Sequence, residues 1–409
     1  MSTLHRRKFL SAGALACGGM FLTTRLAFGG TDSATRKRLV LILMRGAVDG
    51  LSIAPPYGDP DYAALRGELA IARPGSAAGA LALDATFGLH PSLAFLHECF
   101  TARQLLVAHA IATPYRERSH FDGQDVLESG TLHPHASQSG WLNRALAALP
   151  GPLTPSERGV ALGQNIPLAM RGPAAVTSWS PARLAALDED TLQRLTDLYA
   201  QDALLSSRLA DALAADQIAR TSGGADAMAT PAALRTKGAQ YAEIVRAAAG
   251  FLKREEGPQA AMFDTMGWDT HANEGGASGQ LANRLAVLDQ GLRLLRDELG
   301  PVWDHTVVML LTEFGRTAAI NGTRGTDHGT ATAALVTGGA VTGGRVLTDW
   351  PGLSRRGLYQ GRDLRPTLDL RSLLKGVLAE HLRISNGKLE TEVFADSRNA
   401  RPLQGLIRA

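Results

Sequence analysis

Hydrophobic and polar positions along this chain fall into two alternating patterns. Arg38-Leu-Val-Leu-Ile-Leu-Met44 is an unbroken apolar run closed by the turn-like Arg45-Gly-Ala-Val-Asp49-Gly50. A short continuous run of this kind reads as a strand buried on both faces. The stretches 104–111, 260–263, 306–311 and 332–337 repeat it. Between them the apolar positions switch to helical spacing. Leu195, Leu198, Leu205, Leu209 and Leu213 form one such series, and Leu285, Leu288, Leu292 and Leu295 another. Strands alternating with helices predict an α/β fold, a mostly parallel central sheet flanked by helices on both faces. Residues 185–257 carry helical patterns with little strand signal. They are expected to form a helical insertion within a single domain, residues 30–409, with Ser222-Gly-Gly224 and Thr230-Pro231 joining its two helices. The Gly338-Gly339 and Gly343-Gly344 pairs lack the Lys-Ser/Thr that follows a phosphate loop, and predict a tight hairpin turn.

Polar clusters sit where these strands end, which is where an open α/β sheet binds its ligands. Arg45 and Asp49 follow the first run, and His120, Asp122, Asp125 and Glu128 follow the second. Gly267-Trp-Asp269-Thr-His271 follows the third. The fourth leads into Glu313, Arg316, Asn321 and Gly325-Thr-Asp327-His328-Gly329.

Asp269 and His271 are two apart, so in extended backbone both leave on one face and can grip one ion. Asp327 and His328 lie between glycines, in a turn that lets backbone approach a ligand. Carboxylate with imidazole is a donor set for zinc, manganese or iron, and such a site hydrolyses esters. Arg316, and as a further candidate Arg45, offer a fork of donors for a small anionic ester. Plainer roles stand next to these. Asp269 and Asp327 suit ordinary turns, Glu313 and Arg316 suit an ion pair, and His90 before Pro91 suits a helix start. His133 and His135 read as loop histidines. A serine-hydrolase elbow, Gly-x-Ser-x-Gly, does not occur.

Composition changes the picture at one end only. The 409 residues carry a net charge of +3 and are 45% hydrophobic, which excludes intrinsic disorder. Arg6-Arg7-Lys8-Phe9-Leu10 followed by a weakly apolar stretch to Phe28 resembles a twin-arginine (Tat) signal. Residues 1–29 are therefore expected to be a signal peptide, with the Tat translocase as partner during export and a periplasmic or otherwise exported destination. The stretch is too broken by glycine and threonine to span a membrane, and no later one is long enough, so no transmembrane segment is expected in the mature chain. Without Arg6, Arg7, Lys8 and Arg25 the chain has 38 basic against 39 acidic residues, about −1. The basic balance belongs to the signal, and a nucleic-acid partner is excluded with it. Of the 2 cysteines, Cys17 falls in the signal, so Cys99 has no partner for an internal disulfide.

The motifs taken in order resemble a known family. The Tat signal, Arg45-Gly-Ala-Val-Asp49-Gly-Leu51, Ser119-His-Phe-Asp-Gly-Gln-Asp125 and Gly140-Trp-Leu-Asn-Arg144 match. So do Gly267-Trp-Asp-Thr-His271, Thr312-Glu-Phe-Gly-Arg-Thr317, Gly325-Thr-Asp-His-Gly329 and Asp349-Trp-Pro351. Together they are similar to domain-of-unknown-function family 1501, grouped with the alkaline-phosphatase-like and sulfatase-like superfamily. The resemblance implies an alkaline-phosphatase-like fold and a metal-dependent hydrolase of phosphate or sulfate esters. It implies Asp269 and His271 as a first ligand pair, His328 as a late ligand, and Asp327 and Asp49 as further candidates. Arg316, Glu313, His120 and Ser119 become candidates for the chemistry, Ser119 (with Ser52) by position as nucleophile. The match is incomplete. Phe314 cannot ligate, and Arg45 stands where the superfamily carries an acidic ligand. The expectation is therefore at most one firm metal site. The rival reading is a non-catalytic exported protein that keeps the fold for binding or assembly.

Overall fold

Arg38–Arg45 forms β1, and its side chains divide strictly between two cores. Leu39, Leu41 and Leu43 face one apolar cluster, while Val40, Ile42 and Met44 face the other. A period of two places alternate residues on opposite faces, so an uninterrupted apolar run means that both faces are covered. In this computed structural model the described residues are 36–149, 158–181, 189–199, 201–202, 205–207, 209–210, 212–213 and 237–408. The expected signal peptide and the 222–224 and 230–231 joints lie outside them.

The other strands are β2 (Leu81–Ala82), β3 (Gly88–Leu89), β4 (Leu105–Ala112), β5 (Gly159–Leu162), β6 (Thr177–Trp179), β7 (Ala260–Met266), β8 (Thr306–Leu311), β9 (Thr332–Thr337), β10 (Arg345–Leu347) and β11 (Leu368–Asp369). The longer helices are α1 (Gly50–Ile53), α2 (Tyr62–Arg66), α3 (Ala94–Thr101), α4 (His120–Ser129), α5 (Trp141–Ala148), α6 (Glu189–Tyr199), α7 (Lys237–Lys253), α8 (Gln280–Leu299) and α9 (Leu370–Leu382). Nine strands make the main sheet in the order β10-β4-β9-β8-β1-β7-β5-β6, with β11 also on β4. Every pairing in it is parallel except those of β9, which runs against both β4 and β8. The mostly parallel α/β sheet flanked by helices read from the sequence is the observed one, and all five expected strands are present.

Helices α3, α7 and α8 cover one face through Phe95, Val245, Leu252, Leu285 and Leu292, while α5 and α9 cover the other through Leu142, Leu146, Leu373 and Val377. Two polar or small residues explain themselves at these layers. Buried Asp289 on α8 accepts from Phe95 N (2.9 Å) and Leu96 N (3.0 Å), so it caps α3 from a neighbouring helix. A side chain at Gly291 would meet the Tyr241 ring at 2.1 Å, so glycine allows α7 to lie close on α8. The glycine pairs after β9 do not make the expected hairpin. β9 and β10 flank β4 on opposite sides, so the connection must cross it. Gly343 N and Gly344 N donate to Arg103 O and Leu105 O at the start of β4. A side chain at Gly343 would meet Leu105 O at 2.3 Å, and Gly344 takes a φ of +78°.

The reversal of β9 organises one edge of the sheet. β1, β4, β7 and β8 all bring their carboxyl ends there, and antiparallel β9 brings its amino end. Residues after four strands and residues before a fifth therefore share that edge. Among the described residues no helix is long and apolar enough to cross a membrane.

Candidate functional site

At this edge His120, on the first turn of α4, meets Glu313 from the end of β8. His120 Nδ1 is 2.8 Å from Glu313 Oε1. The same oxygen accepts from Gly46 N (2.9 Å) and Gln124 Nε2 (3.1 Å), and Thr312 Oγ1 donates to Oε2 at 2.9 Å. Burial pushes the Glu313 carboxyl up, and these donors outweigh it and hold it below the usual range. An ionised carboxylate only accepts, so Nδ1 of His120 carries a proton, and in the neutral ring Nε2 then carries the lone pair. The bond to Glu313 raises His120 against the opposing effect of burial.

Two more histidines are held the same way. His328 Nδ1 donates to Arg118 O at 2.9 Å, and His271 Nδ1 donates to Asp327 Oδ1 at 3.2 Å. All three Nε2 atoms then point at one carboxylate. Asp269 oxygens lie 3.5 Å from His120 Nε2, 3.1 Å from His271 Nε2 and 3.3 Å from His328 Nε2. Burial works against the Asp269 charge, and the Arg316 guanidinium foremost holds it below the usual carboxylate range.

Two details show what the arrangement lacks on its own. His120 Nε2 is buried without a hydrogen-bond partner. His271 Nε2 and His328 Nε2 are 3.0 Å apart, and two lone pairs that close need a proton or a cation between them. Donor atoms of His120, Asp269 and His328 all fall within 4.8 Å of one another. Tetrahedral zinc with bonds of about 2.0–2.1 Å sets its donors about 3.3 Å apart, close to the observed spacings. Imidazole donors, each braced from behind by an acceptor, together with a carboxylate suit such an ion.

Arg316 is the other unusual group. Its guanidinium is 1% exposed, with Nη2 at 2.8 Å from Asp269 Oδ1. Nε, Nη1 and Nη2 are all buried without hydrogen-bond partners, so the contact with Asp269 is an ion pair only. A buried cation with unused donors beside the Asp269 carboxylate suits an anion with several oxygens.

The remaining sequence candidates divide. Ser119 sits at the N-cap of α4, half-buried, with its hydroxyl making no cap bond. Asp327 lies behind His271 and also accepts from Asn321 Nδ2 at 3.0 Å, which brings its pKa down. Asp49 is elsewhere: it caps α1 through Leu51 N and pairs with Arg66 in a buried cluster that includes Ser52 and Glu274. It is not among the converging donors, because both its oxygens are taken. Arg45 is not free for an anion, since Asp264 and Glu128 hold it at 2.7 Å each. The suggested Glu313–Arg316 pair is replaced by Glu313 with His120 and Arg316 with Asp269. His90 bonds Gly276 O and receives Ser92 N just ahead of α3, as a helix-start residue does. Sequence reading missed Gln124, which links Arg45 to Glu313, and Glu274, which is fully buried. Gln124 lies one helical turn after His120, a spacing that would have shown them on one face.

The sequence profile of a family described as "Protein of unknown function (DUF1501)" matches residues 36–394. The chain belongs to that family. No curated protein matches it. Solved structures give distant similarities. Ps i-CgsB in complex with k-i-k-neocarrahexaose is 9% identical with a TM-score of 0.38, covering 90% of this chain and 77% of that one. The phosphonate monoester hydrolase of Agrobacterium radiobacter is 10% identical with a TM-score of 0.38, covering 86% and 74%. The C-terminal periplasmic domain of EcEptC from Escherichia coli, in complex with Zn, is 9% identical with a TM-score of 0.28, covering 75% and 74%.

Proposed function

We propose that this member of the DUF1501 family is an exported hydrolase of phosphate or sulfate esters that works with one divalent ion. The observation that carries the reading is the convergence of three imidazole Nε2 atoms on Asp269 beside the buried guanidinium of Arg316. His120, Asp269 and His328 would hold the ion, with His271 as the fourth donor. When bound, it would polarise an ester oxygen and lower the pKa of an attacking hydroxyl or water. Glu313, Arg118 O and Asp327 keep the imidazoles turned, and therefore fix which nitrogen faces the centre. Arg316 orients the ester through its unused donors and balances the charge that grows on the transferred group. Ser119 offers a hydroxyl at a helix N-terminus, where negative charge is favoured. The Arg6-Arg7-Lys8-Phe9-Leu10 run supports export by the Tat route, which carries folded passengers.

A second reading rests on one observation. Arg316 already neutralises Asp269 at 2.8 Å, so the same pocket could hold an anion without turnover, as a binding protein would. Metal content and an aryl phosphate and sulfate screen on the purified mature chain separate the two. Stoichiometric zinc, manganese or iron together with ester cleavage supports the hydrolase. A metal-free protein whose stability ignores chelators overturns it.

A further inference from the structure

Two chain segments, far apart in sequence, supply the donors of this centre. Asp269 and His271 come from the segment after β7, and His328 from the segment before β9. Between Asp269 and His271, Thr270 points the opposite way, as alternation in extended backbone requires. Its buried hydroxyl donates to Glu274 Oε2 at 3.0 Å. Thr326, two residues before His328, is also buried and donates to the same oxygen at 2.7 Å. One carboxyl oxygen thus receives a hydroxyl from each segment. The other oxygen faces Ser52 Oγ at 3.3 Å and Arg66 Nη2 at 3.8 Å, which ties Glu274 to the α1 and α2 region behind the centre.

The backbone follows the same seam. Thr326 N donates to Thr270 O at 3.2 Å, and Glu274 N donates to Arg324 O at 3.0 Å. Gly325 lies so close that a side chain there would meet the His271 carbonyl at 2.4 Å. These bonds align the two segments, as do side-chain links such as His271 to Asp327 and Arg324 to Asn273. Glu274 adds a buried carboxylate that accepts a hydroxyl from each.

We infer that Glu274 is a positioning residue, a buried clamp that holds the Asp269–His271 segment against the Thr326–His328 segment so that their donors meet. The inference rests on the metal-site reading for its consequence, not for its geometry. A clamp has a reciprocal signature: loosening either hydroxyl contact loosens the opposite segment as well. It also lowers affinity for the ion, in the 10–100-fold range typical of groups that orient ligands.

Replacing Thr326 by Val keeps the shape and removes the hydroxyl, while Thr326→Ser keeps the hydroxyl. Hydrogen exchange on the full chain, with and without added zinc, reads the segments directly. Competition with a chelator reads zinc affinity. The expected result is that Thr326→Val speeds exchange across residues 269–274 as well as 325–329 and weakens zinc about 10–100-fold, while Thr326→Ser stays near wild type. Thr270→Val should loosen 325–329 in return. Unchanged exchange at 269–274 in Thr326→Val overturns the clamp, as does a serine variant that behaves like valine. A wild-type chain that takes up no zinc removes the metal reading, and the exchange measurement still decides the clamp. Zinc bound equally well by wild type and Thr326→Val removes the clamp and leaves the metal reading standing.

Discussion

Glu313 Oε1 lies 2.8 Å from His120 Nδ1, and that bond decides which imidazole nitrogen faces Asp269. The carboxylate is itself fixed by Gly46 N, Gln124 and Thr312, so its position is inherited from the ends of β1 and β8 and from α4. If His120 serves the ion, Glu313 serves it indirectly. In Glu313→Ala the imidazole loses its brace, and zinc affinity should fall about 10–100-fold with the other donors intact. Chelator competition measures this, and an unchanged affinity would contradict the assigned role.

The donors themselves should behave differently from their braces. His328→Ala and Asp269→Asn remove a ligand atom outright, so the purified proteins should lose stoichiometric metal. Elemental analysis of each variant beside wild type checks this. Retention of full metal content in both would place the ion elsewhere.

Arg316 should matter for anions more than for metal. A charge-assisted hydrogen bond contributes about 1.5–3 kcal/mol, roughly 10–100-fold in affinity. Arg316→Met should therefore weaken inorganic phosphate or sulfate binding by about that factor while metal content stays stoichiometric. Isothermal titration with each anion gives the answer, and equal binding by both proteins would remove Arg316 from the anion site.

Acid sensitivity should come from two buried histidines that are not among the converging donors. Burial lowers His109 and His381 to about 4, each buried with Nε2 donating to a backbone carbonyl, Ala54 O and Arg38 O respectively. Their unfolded value is 6.5, so below it the unfolded chain binds protons that the folded chain refuses. The stability these two contribute is present above pH 6.5 and declines as pH falls from 6.5 towards about 4. Thermal unfolding across that window should show a steep fall, reduced in His381→Gln. A flat profile would contradict the assignment.

Gly325→Ala places a methyl group 2.4 Å from the His271 carbonyl. The two ligand segments must then part, at a cost of about 1–3 kcal/mol typical of overpacking. Denaturant unfolding reads the loss of stability, and a neutral substitution would mean that the seam yields freely.

Much of this was legible in the chain. The unbroken apolar runs of β1 and β8 announce strands covered on both faces, because such runs have no solvent side. Asp269-Thr-His271 and Asp327-His328 stand out because they follow or precede such runs, and carboxylate with imidazole is a recognisable donor set. The roles of Arg45 and Asp49 were not legible. Each is a charged residue near the end of the same strand. Their fates depend on Glu128, Asp264 and Arg66, which approach from other elements. Glu274 reads as an ordinary loop acid until Thr270 and Thr326 are seen to close on it.

By itself, then, the sequence determined the layer architecture, the edge at which polar residues gather and the family, since local periodicity and contiguous motifs carry that information. Tertiary structure decided which of those residues face one another. The reversed direction of β9 is the physical reason. It turns the chain so that His328, ahead of its strand, arrives beside Asp269 and His271, which come after theirs. No spacing along the chain encodes a strand's direction. The convergence of three imidazoles on one carboxylate therefore appears only when the sheet is assembled.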